Sequence, residues 1–162
     1  MVRETQSRRS RIAISGFTLV EVLIALVILS VGMLGIAALF LESLKASRTA
    51  LLRTQAVVLA ADMADRIRAN RYIAAGGGYY DPSLVTASLV AACETAGSSC
   101  SPSQMFANDL YRWQNAVAAV LPGGGATVNF AFVSSQPTYT ITITWTDTGT
   151  TNAGTYELTV QT

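Results

Sequence analysis

The sequence predicts an α+β protein in which a long N-terminal helix packs against a C-terminal antiparallel sheet of about three strands. Two observations support this. The stretch from Val22 to Leu41 contains a single polar side chain, Ser30. It therefore lacks the alternation of apolar and polar residues that a half-buried strand shows. The last third of the chain changes period, and from Tyr139 to Trp145 apolar residues alternate strictly with threonine. The chain therefore begins as an apolar helix and ends as half-buried strands.

The apolar run has the length of a membrane-spanning helix. About 20 residues at a rise of 1.5 Å give about 30 Å, the thickness of a bilayer's hydrocarbon core. Glu21 lies at the start of this segment. An ionisable group in such a segment costs about 2.5 to 3.5 kcal/mol on insertion scales, so it indicates a function and a partner elsewhere.

Residues 1–16 form a basic leader. They carry four arginines against Glu4, namely Arg3, Arg8, Arg9 and Arg11. A positive flank stays in the cytoplasm, which predicts a cytoplasmic N-terminus and an external C-terminus. A secretory signal peptide has a shorter apolar region, of about 7 to 15 residues, followed by its cleavage site. Here the small-residue junction precedes the apolar run.

That junction resembles a known signal. Gly16 followed by Phe17-Thr-Leu-Val-Glu21 is similar to the class III signal of type IV prepilins and pseudopilins. The resemblance implies that a prepilin peptidase cuts after Gly16, methylates the new N-terminal Phe17 and leaves the apolar helix on the mature protein. It also implies that Glu21, the fifth mature residue, registers an incoming subunit in the filament. The alternative is an ordinary signal-anchor helix with a chance glutamate.

A physical argument for Glu21 stands beside the resemblance. A buried carboxylate is tolerated when a cation meets it, and the amine of Phe17 is a cation that only cleavage exposes. Within one helix the two groups are about 6 Å apart along the axis. A neighbouring subunit, shifted along a filament axis, could bring its own amine closer. Such a pair acts as a registry device more than as a source of net stability.

Length and charge limit the rest of the protein. The 162 residues predict one globular domain beside the N-terminal helix. We expect a cleaved leader over 1–16, a transmembrane and assembly helix over 17–41, and a periplasmic pilin-like domain over 42–162. Without the leader, seven basic residues face nine acidic ones. Basic residues are not clustered with aromatic ones, so no nucleic-acid partner is predicted.

Residues 42–70 continue the helix as an amphipathic segment. Apolar residues recur at spacings near three, four and seven, which predicts a stripe packed on the domain: Leu44, Leu51, Leu52, Val58, Leu59, Met63 and Ile67. Asp62 and Arg66 are four apart and can pair on the helix surface. The glycine run 76–78 ends the helix.

The next segment, 76–101, reads as a loop that contains the only two cysteines, Cys93 and Cys100. In an oxidising compartment the pair should form a disulfide, with an entropic gain of about 2.5 kcal/mol. Redox catalysis more often uses Cys-x-x-Cys, and two cysteines without a histidine are too few for a zinc site. We therefore predict a structural bridge, with no metal and no cofactor.

A second helix and the sheet complete the domain. Ser101, Pro102 and Gln104 have the order of an N-cap, a first helical residue and a capping-box partner, which predicts a helix over 102–120. Its expected buried face is Met105, Leu110, Trp113, Val117 and Val120. The sheet is expected over 126–161, with turns at 134–137 and 147–154. Its inward residues are Val128, Phe130 and Phe132, then Tyr139, Ile141, Ile143 and Trp145, then Tyr156, Leu158 and Val160.

The resemblance can be narrowed. The segments 52–56 and 59–70, and the run from Cys100 to Trp113, are similar to the PilV family of minor pilins, the type IV pilus modification proteins. This implies a non-catalytic subunit that helps to initiate or modify a type IV pilus. The implied partners are a prepilin peptidase, other minor pilins, the major pilin, the inner-membrane assembly platform and, before assembly, membrane lipid. The implied location is the inner membrane, crossed once with the C-terminus in the periplasm, and then the pilus.

Two other functions remain open. A minor pseudopilin of a type II secretion system shares every feature up to about Leu41, and the 52–70 segment argues against it. A membrane-anchored enzyme is the third possibility. The chain has no histidine, which removes Ser-His and Cys-His nucleophiles. Asp62 and Asp65 could share a helix face and are more simply explained as solvated carboxylates.

Overall fold

The computed structural model describes residues 16–70, 81–147 and 153–161, apart from the side chain of Ser83. The predictions for leader residues 1–15, for the glycine run 76–78 and for most of the turn at 147–154 lie outside the described residues. The chain divides into two units, one ending at Glu42 and one beginning at Ser43. We describe them separately.

Helix α1, Leu19–Ala69, supplies all of the regular structure described in the first unit and continues into the second. Its side chains from Leu19 to Glu42 are all exposed. Within the part of the chain that the structure describes, α1 alone is long and apolar enough to cross a membrane, as judged by length and composition.

The second unit adds two helices and a sheet. A 3-10 turn at Pro82–Leu84 and the short helix α2, Ala91–Glu94, lie in the segment that we expected to be a loop. Helix α3 spans Pro102–Val120. The strands are β1, Gly125–Val133, β2, Gln136–Thr146, and β3, Ala153–Gln161. They form an antiparallel sheet in the order β1-β2-β3, which confirms the predicted α+β class.

The turn between β1 and β2 is tighter than predicted. Val133 pairs with Gln136, so only Ser134 and Ser135 connect the strands. Both serines have positive φ, 51° and 66°. Two residues with positive φ are typical of the type I′ hairpin, whose twist matches that of the flanking strands. The prediction of a turn over 134–137 was therefore too long by two residues.

Helix α1 contributes to the core only part of the predicted stripe, with Leu52, Met63 and Ile67 buried as expected. Its buried residues are Leu52, Ala56, Ala60, Met63, Ala64 and Ile67. Leu44, Leu51 and Val58 are exposed, and Leu59 is half-buried. Three alanines lie on the buried face because small side chains let neighbouring elements approach the helix closely. The prediction followed the large apolar residues and overlooked these alanines.

The buried face of α3 is also displaced by one residue at each end. Phe106, Leu110, Trp113 and Val117 are buried. Met105 and Val120, predicted to be buried, are 36% and 44% exposed. Counting back from Trp113 by three residues and then by four reaches Leu110 and Phe106, so Phe106 and not Met105 lies on the buried face. The predicted cap is confirmed, since the Gln104 backbone donates to Ser101 Oγ at 3.3 Å and the Ser101 backbone donates to Gln104 Oε1 at 2.9 Å.

The sheet covers the helices with one face. All four inward residues predicted for β2 are buried, and β3 contributes Val160 with Tyr156 and Leu158 at the margin. On β1 Val128 is buried and Phe130 packs against the core, whereas Phe132 is 60% exposed. The expectation for Phe132 was wrong because it pairs with Pro137 beside the turn, where its ring meets the edge of Phe130 at a centroid distance of 5.2 Å.

Candidate processing and assembly site

The Gly16–Phe17 peptide bond lies in non-helical backbone just before α1. The Phe17 side chain is 80% exposed. Among the described residues, no atom lies within 4 Å of a Cβ atom added at Gly16. None of the described residues therefore requires a glycine at this position.

Thr18 begins the helix. Its carbonyl oxygen accepts hydrogen bonds from the backbone N–H groups of Glu21 at 3.1 Å and Val22 at 3.3 Å. Its hydroxyl also accepts from the Glu21 N–H at 3.3 Å. This is the arrangement of an N-cap residue, which satisfies one of the donors that a helix leaves open at its start. We did not predict a role for Thr18, although Thr-x-x-Glu is the sequence of a capping box.

Glu21 lies in the first turn of α1 and is exposed. A carboxylate in the first turn interacts favourably with the positive end of the helix dipole. The sequence from residue 17 to residue 42 contains no lysine, arginine or histidine. No side chain from Phe17 to Glu42 can therefore supply a cation to Glu21.

The single hydroxyl in the apolar part of α1 is already bonded. Ser30 Oγ donates to the Val27 carbonyl oxygen at 2.8 Å. A polar group satisfied within its own helix can enter an apolar environment at reduced cost. Glu21 is consequently the one strongly polar side chain in the segment from Val20 to Leu41.

In the second unit the two cysteines are joined. Cys93 and Cys100 form a disulfide with their Cα atoms 5.0 Å apart, as predicted. Glu94, beside the bridge, accepts from Asn108 Nδ2 and from Arg112 Nε, each at 2.6 Å. The N–H of Val90 donates to Asn108 Oδ1 at 2.9 Å. These contacts attach the disulfide loop to α3, and only the pairing of the cysteines was expected from the sequence.

An ion-pair cluster attaches α1 to α3. Arg66 donates to Asp62 at 3.0 Å, as predicted, and to Asp109 at 2.8 Å. Burial lowers the pKa of Arg66, but the bonds to the two carboxylates outweigh it and the pKa is raised above its ordinary value. Trp113 Nε1 donates to the Leu59 carbonyl oxygen at 2.8 Å.

The two carboxylates considered for catalysis serve separate partners. Asp62 pairs with Arg66, and Asp65 pairs with Arg68 at 2.8 Å. Across residues 16–70, 81–147 and 153–161, no three or more Cys, Asp or Glu residues form a group that could hold a metal ion.

Comparison with known proteins gives two adjacent matches. The family model "Prokaryotic N-terminal methylation motif" matches residues 12–37, which include Gly16, Phe17 and Glu21. The family model "Type IV pilin Tt1218" matches residues 38–111. No curated protein and no solved structure gives a significant match. Together with the long apolar helix and the three-stranded sheet, the two matches support a type IV prepilin-like protein, a pilin or pseudopilin subunit.

Proposed function

We propose that this chain is a minor type IV pilin, a non-catalytic subunit that contributes to the initiation or modification of pilus assembly. The observation that carries the proposal is the isolation of Glu21. It lies in the first turn of an apolar helix whose sequence offers no cationic side chain up to Glu42. The cation that cleavage creates at Phe17 is the nearest one in sequence to Glu21 once the leader is gone.

The first step of the proposed pathway is processing. A prepilin peptidase cuts between Gly16 and Phe17 and the new terminus of Phe17 is methylated. The non-helical backbone and the exposure of Phe17 support this step, because a peptidase needs access to the bond that it cuts. The open space around Gly16 is consistent with a glycine selected by the enzyme.

The second step is assembly. Before it, the apolar half of α1 crosses the inner membrane once, with the leader in the cytoplasm and the C-terminal unit in the periplasm. During it, Glu21 pairs with the amine of a neighbouring subunit as the helices enter the filament core. The partners are other minor pilins, the major pilin and the inner-membrane assembly platform. A cell-surface pilus is the final location.

A minor pseudopilin of a type II secretion system is the second candidate. The processing motif and the apolar helix are common to both kinds of subunit, which keeps this candidate open. The similarity of residues 52–70 to PilV minor pilins favours the pilus. Purification of the mature protein with its partners, followed by mass spectrometry, separates the two, since pilus components should be recovered rather than secretion components.

Processing itself gives the most direct test. Protein purified from membranes should begin at a methylated Phe17 when its N-terminus is determined by mass spectrometry. Gly16→Leu should leave the full-length precursor in the inner membrane, whereas Gly97→Ala, a glycine change in the disulfide loop, should not affect cleavage. An N-terminus at any other residue contradicts the proposal.

A further inference from the structure

We propose that Thr18 is a positioning residue, whose hydroxyl caps α1 and thereby fixes the helical turn that carries Glu21. The inference rests on the proposed function, because it assigns Thr18 a part in the pairing of Glu21 during assembly.

The hydrogen bonds at Thr18 carry the first step. Both the carbonyl and the hydroxyl of Thr18 face the N–H of Glu21, at 3.1 Å and 3.3 Å. Glu21 is therefore the residue whose backbone the cap holds. Loss of the hydroxyl would leave the carbonyl as the remaining acceptor for that N–H group, shared with the N–H of Val22 at 3.3 Å.

The surroundings make the cap more important than it is in a water-exposed helix. In water, an open N–H group at a helix start is hydrated at small cost. In a nonpolar filament core no water is available, and every backbone donor must be satisfied by the protein. The first turn of α1 is followed directly by an apolar run to Leu41. When this turn enters the proposed filament core, its cap must therefore come from the chain itself.

The direction of helical side chains connects the cap to the carboxylate. Side chains of an α-helix tilt toward its N-terminus, so a helical Glu21 directs its carboxylate toward the residues before the helix. If the first turn frays, that direction is lost while the charge remains. The cap lies wholly after the Gly16–Phe17 bond, so cleavage leaves its two members, Thr18 and Glu21, in the mature protein.

Amide exchange tests the cap without any assumption about pili. Mature protein in detergent micelles is compared with Thr18→Val, which keeps the shape but removes the hydroxyl, and Thr18→Ser, which keeps the hydroxyl. We expect the Glu21 amide to exchange about five-fold faster in Thr18→Val and at the wild-type rate in Thr18→Ser. The control is Ser30→Ala, which removes the other hydroxyl of the segment and leaves the cap intact. Equal protection of Glu21 in Thr18→Val and wild type overturns the inference.

Incorporation into pili tests the consequence. Each variant is expressed in a strain that lacks the gene, and the protein is measured in the membrane and in sheared pili. Thr18→Val should be cleaved and folded, but pili should contain at least about five-fold less of it than of the wild-type protein. Thr18→Ser should enter pili at the wild-type level. Thr18→Val should leave the fluorescence of the buried Trp113 and Trp145 unchanged. A change in that fluorescence would indicate a general weakening of the protein.

The two experiments separate the two ideas. Wild-type protein that never enters pili contradicts the proposed function, while the exchange measurement still decides whether Thr18 caps the helix. Normal incorporation of Thr18→Val alongside a failure of Glu21→Ala overturns the role of Thr18 and leaves that of Glu21 in place.

Discussion

Thr49 and Asp147, 98 residues apart, are joined by a hydrogen bond. The Thr49 hydroxyl lies 3.1 Å from one carboxylate oxygen of Asp147 and 3.0 Å from the other. The bond fixes the residue after β2 to α1 at a point three residues before the first buried side chain of the helix, Leu52. It therefore extends the attachment between sheet and helix beyond the hydrophobic core.

This contact should contribute measurably to stability. We expect Thr49→Val to lower the free energy of unfolding by about 1 kcal/mol, because a hydrogen bond to a charged acceptor is lost at an exposed site. Tryptophan fluorescence in a denaturant titration can measure this, since Trp113 and Trp145 are both buried.

The matched control for that measurement is Thr54→Val. The Thr54 hydroxyl donates to the Ala50 carbonyl of its own helix, at 2.9 Å. Its loss should change stability by less than about 0.5 kcal/mol. Equal effects of the two changes would show that the Thr49 bond contributes nothing specific.

Asn108 is predicted to be the most sensitive polar residue of the disulfide loop's attachment to α3. It is 4% exposed, accepts from the Val90 N–H and donates to Glu94. Asn108→Leu leaves a backbone donor of Val90 without its acceptor and should cost about 2 to 3 kcal/mol in unfolding free energy.

The control for this change is Asn115→Leu on the same helix. Asn115 is exposed, and its amide donates to the Tyr111 carbonyl at 2.7 Å. We expect a change within about 0.5 kcal/mol. An Asn108 variant as stable as the Asn115 variant would mean that the segment around Val90 and Glu94 does not depend on this side chain.

The extent to which the sequence could predict this structure differs between short-range and long-range features. The Ser101 cap, the Asp62–Arg66 pair and the inward face of β2 depend on residues close in sequence, and all three were predicted. The stripe on α1 was predicted only in part, because its register depends on which elements pack against it and alanines such as Ala60 carry no signal of their own.

The same distinction holds for the candidate site. Gly16, Phe17 and Glu21 follow from a local motif, and so could Thr18 have done, since the Thr-x-x-Glu pattern is visible. The attachment of Glu94 to Asn108 and Arg112 could not be predicted, because it joins segments 14 and 18 residues apart whose approach depends on the path of the intervening loop.

The disulfide should stabilise the second unit. Native protein should contain no thiols that can be alkylated before reduction, and its intact mass should rise by about two hydrogens after reduction. Replacing both cysteines by serine should lower the unfolding free energy by about 2.5 kcal/mol on the chain-entropy model. Free thiols in native protein would count against the bridge.

Gly154 is predicted to tolerate no side chain. A Cβ atom there would lie 2.2 Å from Cε2 of Trp145, which is 5% exposed and cannot move without disturbing the core. Gly154→Ala should therefore cost about 1 to 3 kcal/mol and alter Trp145 fluorescence. The comparison variant is Gly97→Ala, because a Cβ atom there would meet none of the described atoms within 4 Å but Gly97 has a φ of 83°. Its loss of unfolding free energy reports backbone strain, whereas that of Gly154→Ala reports the lack of space.

The role of Glu21 gives the decisive prediction for assembly. The second unit has its own core, so Glu21→Ala should leave it folded, with the tryptophan fluorescence and disulfide of the wild type. The change also makes the first turn of α1 more apolar, so membrane insertion should persist and Gly16–Phe17 should still be cut. Incorporation should fail, because the amine of a neighbouring subunit would lose its partner in a nonpolar core. We therefore expect stable, cleaved protein that remains in the inner membrane and does not restore pili to a strain lacking the gene.

The control is Ser30→Ala, in the same helix, which should assemble normally. If sheared pili contained Glu21→Ala protein at the wild-type level, the carboxylate would not act in assembly. The N-terminal mass of the same variant would then test whether Glu21 serves recognition by the peptidase or methylation of Phe17.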